Sequence, residues 1–261
     1  MAAIGTSNLL QGKKGLVLNV TNKNSIGWAI AEGALNHGAE VGVGAQNERM
    51  LEGVSKLVTG VTGMTPFVID FGDDEAFPKL VDEVKAVYGE IDFLVHSAAF
   101  APKEAMLNPF IDTTRSDFAI ALDVSCYSFI KLASELRPVM KAGTSVITLS
   151  YLGSQRGMKN YNVMGVAKAG LESAARYLAI DLGEIGVRVN VLSPGPMNTV
   201  AARGVPGLMS MIEFVASKAP LKRAAVQEDV AGAAVWLMSD LSQGVTGEII
   251  FVDAGYNTVA L

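Results

Sequence analysis

At 261 residues the chain sits between one and two domains on a scale of about 150 residues each, a length that single α/β units commonly reach. Half of it is hydrophobic and 18% charged, with 27 Gly against 9 Pro, which excludes disorder, collagen and coiled coil. A net charge of −5 leaves no basic footprint for nucleic acid or an anionic membrane. The single cysteine and two histidines (Cys126; His37 and His96) exclude an internal disulfide and a metal cluster of recognisable spacing, so none is expected.

The N-terminal stretch lacks the basic flank and apolar core of a targeting segment. The longest strongly apolar run, Val230 to Met238, is far shorter than the roughly 18 residues a bilayer span needs. A soluble protein of a reducing cytoplasm is expected.

Seven aliphatic runs read as strands: 15–20, 40–45, 65–70, 91–96, 145–150, 187–193 and 248–253. Near-continuous apolarity, without strict alternation, predicts a parallel sheet buried on both faces. Helical segments lie between most of them. After the first run, Ile26, Ala29, Ile30, Gly33, Ala34 and His37 recur on one helical face of mostly small residues. The expected fold is therefore α/β: a single-domain Rossmann-like, doubly wound parallel sheet over 1–261, with ligand chemistry at the carboxyl ends of the strands. Pro194 to Leu221 follows a strand end and is rich in Met, Ala and Gly. It reads either as a lid over an apolar substrate or as an ordinary packed helix pair.

The turn after the first strand is not G-x-G-x-x-G. Asn19 stands where the first glycine is expected and tolerates a left-handed backbone. Ser25 offers a hydroxyl at the next helix start, to a pyrophosphate or simply as a cap. The second strand ends at neutral Gln46 where a ribose-binding acid is usual, which favours NADH over NADPH; Arg49 is either a 2′-phosphate partner or solvated surface. Asp70 and Phe71 close the third strand with a carboxylate and a ring for adenine, or with an ordinary turn. Ser97, Ala98 and Ala99 are small enough for close approach of a cofactor.

The fifth strand runs into Ser150 and Tyr151, and Tyr161 precedes Lys168 by seven positions. If 158–184 is one helix, that spacing returns to within roughly 20° of the same direction, about 10.5 Å along the axis. The lysine charge would then lower the tyrosine pKa. A tyrosine and a snorkelling lysine on an amphipathic helix is the bland alternative.

The order of units, Asn190, Ser193 to Pro196 and Val252 to Gly255 resemble the short-chain dehydrogenase/reductase superfamily. Ser150 to Gly153, Tyr161 to Lys168, His96-Ser97 with Phe100 to Pro102, and Asp240 to Ser242 resemble, more narrowly, bacterial NADH-dependent enoyl-acyl-carrier-protein reductases. Most of the superfamily spaces tyrosine and lysine by three residues, and that position here is Met164, which donates no proton.

The resemblance implies a 2-enoyl thioester on acyl carrier protein, hydride delivery from NADH to its β-carbon, and Tyr161 as donor to the developing enolate. It implies Lys168 on the nicotinamide ribose and Tyr151 as a second tyrosine of less settled role. Asn19, Ser25, Ile26, Gln46, Asp70, Phe71, Ala98 and the segment Met197, Asn198, Thr199, Val200, Ala201 would contact the cofactor, and Ala101 would line the substrate pocket. It also implies a cytoplasmic homotetramer, with 165–182 and the terminal strand as faces. Asn19 and Ala99 depart from the family's usual glycines. The Ala99 methyl is expected to crowd stacked phenolic inhibitors by on the order of 1 to 3 kcal/mol, weakening triclosan.

Overall fold

In the computed structural model of the chain, which describes residues 5–199, 202 and 207–259, the apolar runs pair side by side. Strands β1 (Lys14–Leu18), β2 (Glu40–Ala45), β3 (Met64–Val68), β4 (Ile91–His96), β5 (Met140–Leu149), β6 (Arg188–Pro194) and β7 (Ile249–Val252) form one parallel sheet. Their order is β3-β2-β1-β4-β5-β6-β7. Val17 lies between Val43 on β2 and Val95 on β4, all three fully buried, as a sheet covered on both faces requires.

Helices α1 (Ile26–Asn36), α2 (Glu48–Val58) and α9 (Gln227–Met238) cover one face, packing Ile30, Ala34 and Val54 in one cluster with Ala231 and Ala234. The small residues let α1 and α9 lie close to each other and to the sheet. The other face is covered by α3 (Ala76–Tyr88), α6 (Ser128–Leu136) and α7 (Asn162–Gly183), through Phe77, Phe129, Leu132 and Leu171. His37 caps the C-terminus of α1 and sits with Nδ1 2.7 Å from the Gly33 carbonyl.

Strand ends depart from the sequence expectation by at most two residues, except at the start of β5. β5 begins at Met140, five residues early, because its lead-in Lys141-Ala142-Gly143 is exposed and carries no apolar pattern. β1 stops at Leu18, because Asn19 turns left-handed at φ 65°.

That turn opens the site. β1 and β4 are neighbours, and the chain leaves them in opposite directions across the sheet, so a crevice forms beyond their carboxyl ends. The Ser97 hydroxyl donates to the Leu18 carbonyl at 2.6 Å, and the Asn19 amide donates to the Ser97 carbonyl at 3.1 Å. Asparagine thus supplies both the backbone conformation expected of it and a side-chain tie across the crevice floor. The loop after β4 leads into α4 (Lys103–Leu107), and between α5 (Arg115–Leu122) and α6 a π-helical turn, Asp123–Tyr127, aims Ser125 back at that loop. Its hydroxyl accepts from the Phe100 N–H and donates to the Phe100 carbonyl, each at 2.9 Å, which fixes one wall of the site.

Candidate active site

Every element that ends at the crevice contributes. Along the β1–β4 side, Ser25 caps α1, its hydroxyl accepting from the Trp28 N–H at 3.1 Å and donating to the Asn22 carbonyl at 2.8 Å. Of the two roles read for Ser25, the cap is therefore built in, while the first-turn amides of α1 lack intrahelical acceptors as at any helix start. Gly27 sits where a Cβ would press on the Ser97 hydroxyl at 3.1 Å and Val20 at 3.2 Å. Ala98 is buried, half-buried Gln46 follows β2, and exposed Asp70 follows β3 with its carboxylate accepting from the Gly72 N–H at 3.0 Å. The Phe71 ring points inward instead, edge-on to Phe77 and His96, so only its backbone faces the crevice edge.

A dinucleotide fits this edge: a tight left-handed turn, a helix start and a small-residue floor, with Gln46 and Asp70 at successive strand ends. Asn198 is exposed, and half-buried Thr199 accepts from the Ala202 N–H at 3.2 Å. Val200 and Ala201 lie outside the described residues.

A cavity of about 500 Å³ continues from there. Ile26, Ala99, Ala101, Tyr151, Tyr161 and Thr199 line it, joined by five of the chain's eleven methionines: Met106, Met158, Met164, Met197 and Met211. Met211 lies on α8 (Leu208–Lys218), the helix within the stretch read as lid or helix pair, and its sulfur accepts from the Tyr151 hydroxyl at 3.4 Å.

Tyr161 is not inside a helix. α7 begins at Asn162, and Tyr161 is its cap, flanked by left-handed Asn160 (φ 63°) and Asn162 (φ 35°). The single helix over 158–184 is thus corrected: two left-handed asparagines keep the chain from winding until after the tyrosine. The Tyr161 ring meets Tyr151 edge-on, centroids 4.9 Å apart. A Cβ at Gly153 would collide with the Tyr161 ring, and a Cβ at Gly165 would stand 2.7 Å from the Gly153 carbonyl oxygen. Both glycines are therefore needed for the loop 150–161 to lie against α7 with Tyr161 beside it.

Lys168 is buried beneath this loop, its ammonium donating to the Leu149 carbonyl at 2.7 Å. Desolvation pulls its pKa down to about 8, against the opposing pull of Cys126 and Glu172. For Tyr161 the expected direction is reversed. Burial, then the neighbouring Tyr151 and Glu172, push its pKa well above the ordinary tyrosine value, so it remains a protonated donor. Burial likewise pushes Tyr151 up to about 12.

Sequence reading missed two buried groups here. His96 bonds both ring nitrogens, to Thr148 at 3.0 Å and Ser128 at 2.9 Å, and desolvation followed by the Lys168 charge holds it neutral with a pKa of about 3. Glu172, one turn beyond Lys168, accepts from Ser150 and Ser154, each at 2.5 Å. A carboxylate on a largely apolar helix face was the available signal.

A seven-stranded parallel sheet in this order, with a tyrosine and a lysine at its carboxyl edge, defines a short-chain dehydrogenase/reductase. The family described as Enoyl-(Acyl carrier protein) reductase matches residues 20–257, and the chain belongs to it. It is 43% identical over 254 residues to enoyl-[acyl-carrier-protein] reductase [NADH] FabI of Rickettsia typhi, covering 97% of each. The protein of the same name from Bacillus cereus is 42% identical over 251 residues, covering 95% of this chain and 98% of the relative. Among solved structures, the Anaplasma phagocytophilum reductase in complex with NAD superposes with a TM-score of 0.93 at 38% identity, covering 98% of each chain. The Bacillus cereus reductase with NADP+ and indole naphthyridinone gives 0.94 at 41%, covering 97% of this chain and all of the other.

Proposed function

We propose that the chain reduces the trans-2 double bond of enoyl thioesters carried on acyl carrier protein, in fatty-acid synthesis, with NADH as reductant. The observation that carries this reading is a protonated Tyr161 hydroxyl facing an apolar cavity, with Met164 in place of a nearer proton donor. Asn19, Ser25, Ile26, Gln46, Asp70, the Phe71 backbone, Ala98 and Met197 to Ala201 would hold the cofactor, whose bound form supplies the hydride. Lys168 would hold its ribose.

Charge then develops on the thioester oxygen. A hydroxyl already aimed into a water-poor cavity stabilises that charge more than it stabilises the uncharged substrate, which lowers the barrier. Tyr161 is suited to this because burial disfavours its own ionisation. It gives a hydrogen bond without surrendering its proton before the enolate forms. Ala101 lines the pocket, and Tyr151, tethered to Met211, braces the Tyr161 ring.

A rival reading, a short-chain carbonyl reductase, needs a second hydroxyl beside the substrate carbonyl, and Ser150, directly after β5, is the candidate by position. That hydroxyl is spent on Glu172. A non-catalytic NADH sensor would have no use for a buried lysine beneath an intact tyrosine pair. Every described site residue lies beyond the carboxyl ends of one sheet, which supports one catalytic domain with α8 and its flanks, 194–221, as the cover over the substrate. Exposed Val166, Tyr177 and Ile180 along α7 support a homotetramer, with β7 as a further face. Among the described residues no helix is long and apolar enough to cross a membrane.

The test is NADH oxidation with crotonyl and acetoacetyl thioesters, repeated with NADPH. Turnover of the enoyl substrate alone, faster with NADH, is expected. Reduction of the keto substrate alone would overturn the reading.

A further inference from the structure

Buried carboxylates are rare unless paired. Glu172 is 5% exposed, and no lysine, arginine or histidine comes within ion-pair distance of it among the described residues. Its partners are two hydroxyls instead. Ser150 and Ser154 both donate to the same oxygen, Oε1, at 2.5 Å, the short range of charge-assisted O–H···O bonds. These two serines bracket Tyr151 and Gly153, and the Ser154 N–H closes the turn on the Tyr151 carbonyl at 2.9 Å. Tyr151 and Gly153 are in turn the two residues against which the Tyr161 ring rests. A chain of contacts therefore runs from the α7 interior through the serines to the tyrosine pair.

We propose that Glu172 is a positioning residue: by drawing Ser150 and Ser154 onto one oxygen, it sets the loop 150–161 against α7 and so fixes where the Tyr161 hydroxyl points. This rests on Tyr161 being the donor. The same bond makes Ser150 unavailable to a substrate carbonyl, which confines the site to one tyrosine donor. Lys168, on the preceding turn of the same helix, offsets part of the cost of burying the carboxylate without touching it. Because both hydroxyls use Oε1, a glutamine amide oxygen can accept both, while leucine accepts neither. Charge and hydrogen bonding are thereby separable.

Glu172→Leu is expected to lower kcat about tenfold or more with KM for NADH within about threefold, because the cofactor edge is untouched while the donor is misaimed. Glu172→Gln is expected to recover kcat to within about threefold of wild type. Should Glu172→Leu fail to fold, the double variant Ser150→Ala/Ser154→Ala makes the same test, with the same loss of kcat expected. Wild-type kcat in the leucine or the double-alanine variant overturns the proposal, as does an equal loss in glutamine and leucine. Tyr161→Phe, assayed alongside, distinguishes the two levels. An inactive Tyr161→Phe with a fully active Glu172→Leu removes only the positioning role, whereas a fully active Tyr161→Phe removes the donor reading and the positioning role with it.

Discussion

Gly153→Ala perturbs the tyrosine pair with a single methyl. The added Cβ would lodge against the Tyr161 ring, within 2.8 Å of Cε1, and 3.2 Å from Tyr151 Cδ1. Ordinary carbon contacts begin at about 3.5 Å, so the Tyr161 ring must retreat by about 1 Å. The backbone of residue 153 cannot yield toward α7, because its carbonyl already lies where a Cβ on Gly165 would stand at 2.7 Å. Gly153 is not in the left-handed region, so alanine is permitted there conformationally and the effect is steric. Misplacing a catalytic group by about 1 Å costs on the order of a hundredfold in rate. Overpacking of this kind costs about 1 to 3 kcal/mol of stability, a fall in Tm of roughly 2 to 12 °C at this chain length. The assay follows the loss of NADH absorbance with a crotonyl thioester at saturating cofactor, alongside a melting curve. A hundredfold lower kcat with KM for NADH within about twofold is expected. Wild-type kcat, or a loss confined to NADH affinity, would refute the placement of Tyr161 against Gly153.

Tyr161→Phe should lower kcat by about 10² to 10³ while leaving NADH affinity nearly intact, as loss of one donor to a developing oxyanion does; equal rates would remove Tyr161 as the donor. Lys168→Ala should raise the dissociation constant for NADH as well as lower kcat, measured by cofactor fluorescence titration. Ala99→Gly should tighten triclosan about five- to 150-fold, and an unchanged inhibition constant would show that the methyl does not crowd the inhibitor. Folding stability should decline as pH drops below about 6.5, because the unfolded chain takes up a proton on His96 that the folded chain refuses until a pH of about 3. Chemical denaturation across that window should show a flatter acid limb for His96→Asn.

The sheet was legible because its signal is local. Each strand is a short apolar run, and the only strand start missed by several residues, Met140, lies in an exposed Lys141-Ala142-Gly143 lead-in without that signature. The left-handed turn at Asn19 was legible for the same reason, since residue type alone fixes which backbones are tolerated. The seven-residue spacing of Tyr161 and Lys168 pointed to the right pair through the wrong geometry, because left-handed Asn160 and Asn162 delay the helix. The direction of the Tyr161 pKa was illegible: it depends on burial and on Glu172, and neither appears in a spacing. Glu172 itself, eleven residues from the tyrosine, gains meaning only when the loop 150–161 folds back onto α7.

Five thioethers facing one void give the enzyme a wall with many shapes of nearly equal energy. Unbranched side chains of this kind re-fold around whatever hydrocarbon enters, so on the proposed function acyl groups would be sorted by bulk more than by outline. On the proposed function the rigid partners, two phenols and a buried ammonium, would stay with the carbon that changes hybridisation. Recognition of the tail and chemistry at the head are thus assigned to materials of opposite stiffness, and the tail can vary without disturbing the head.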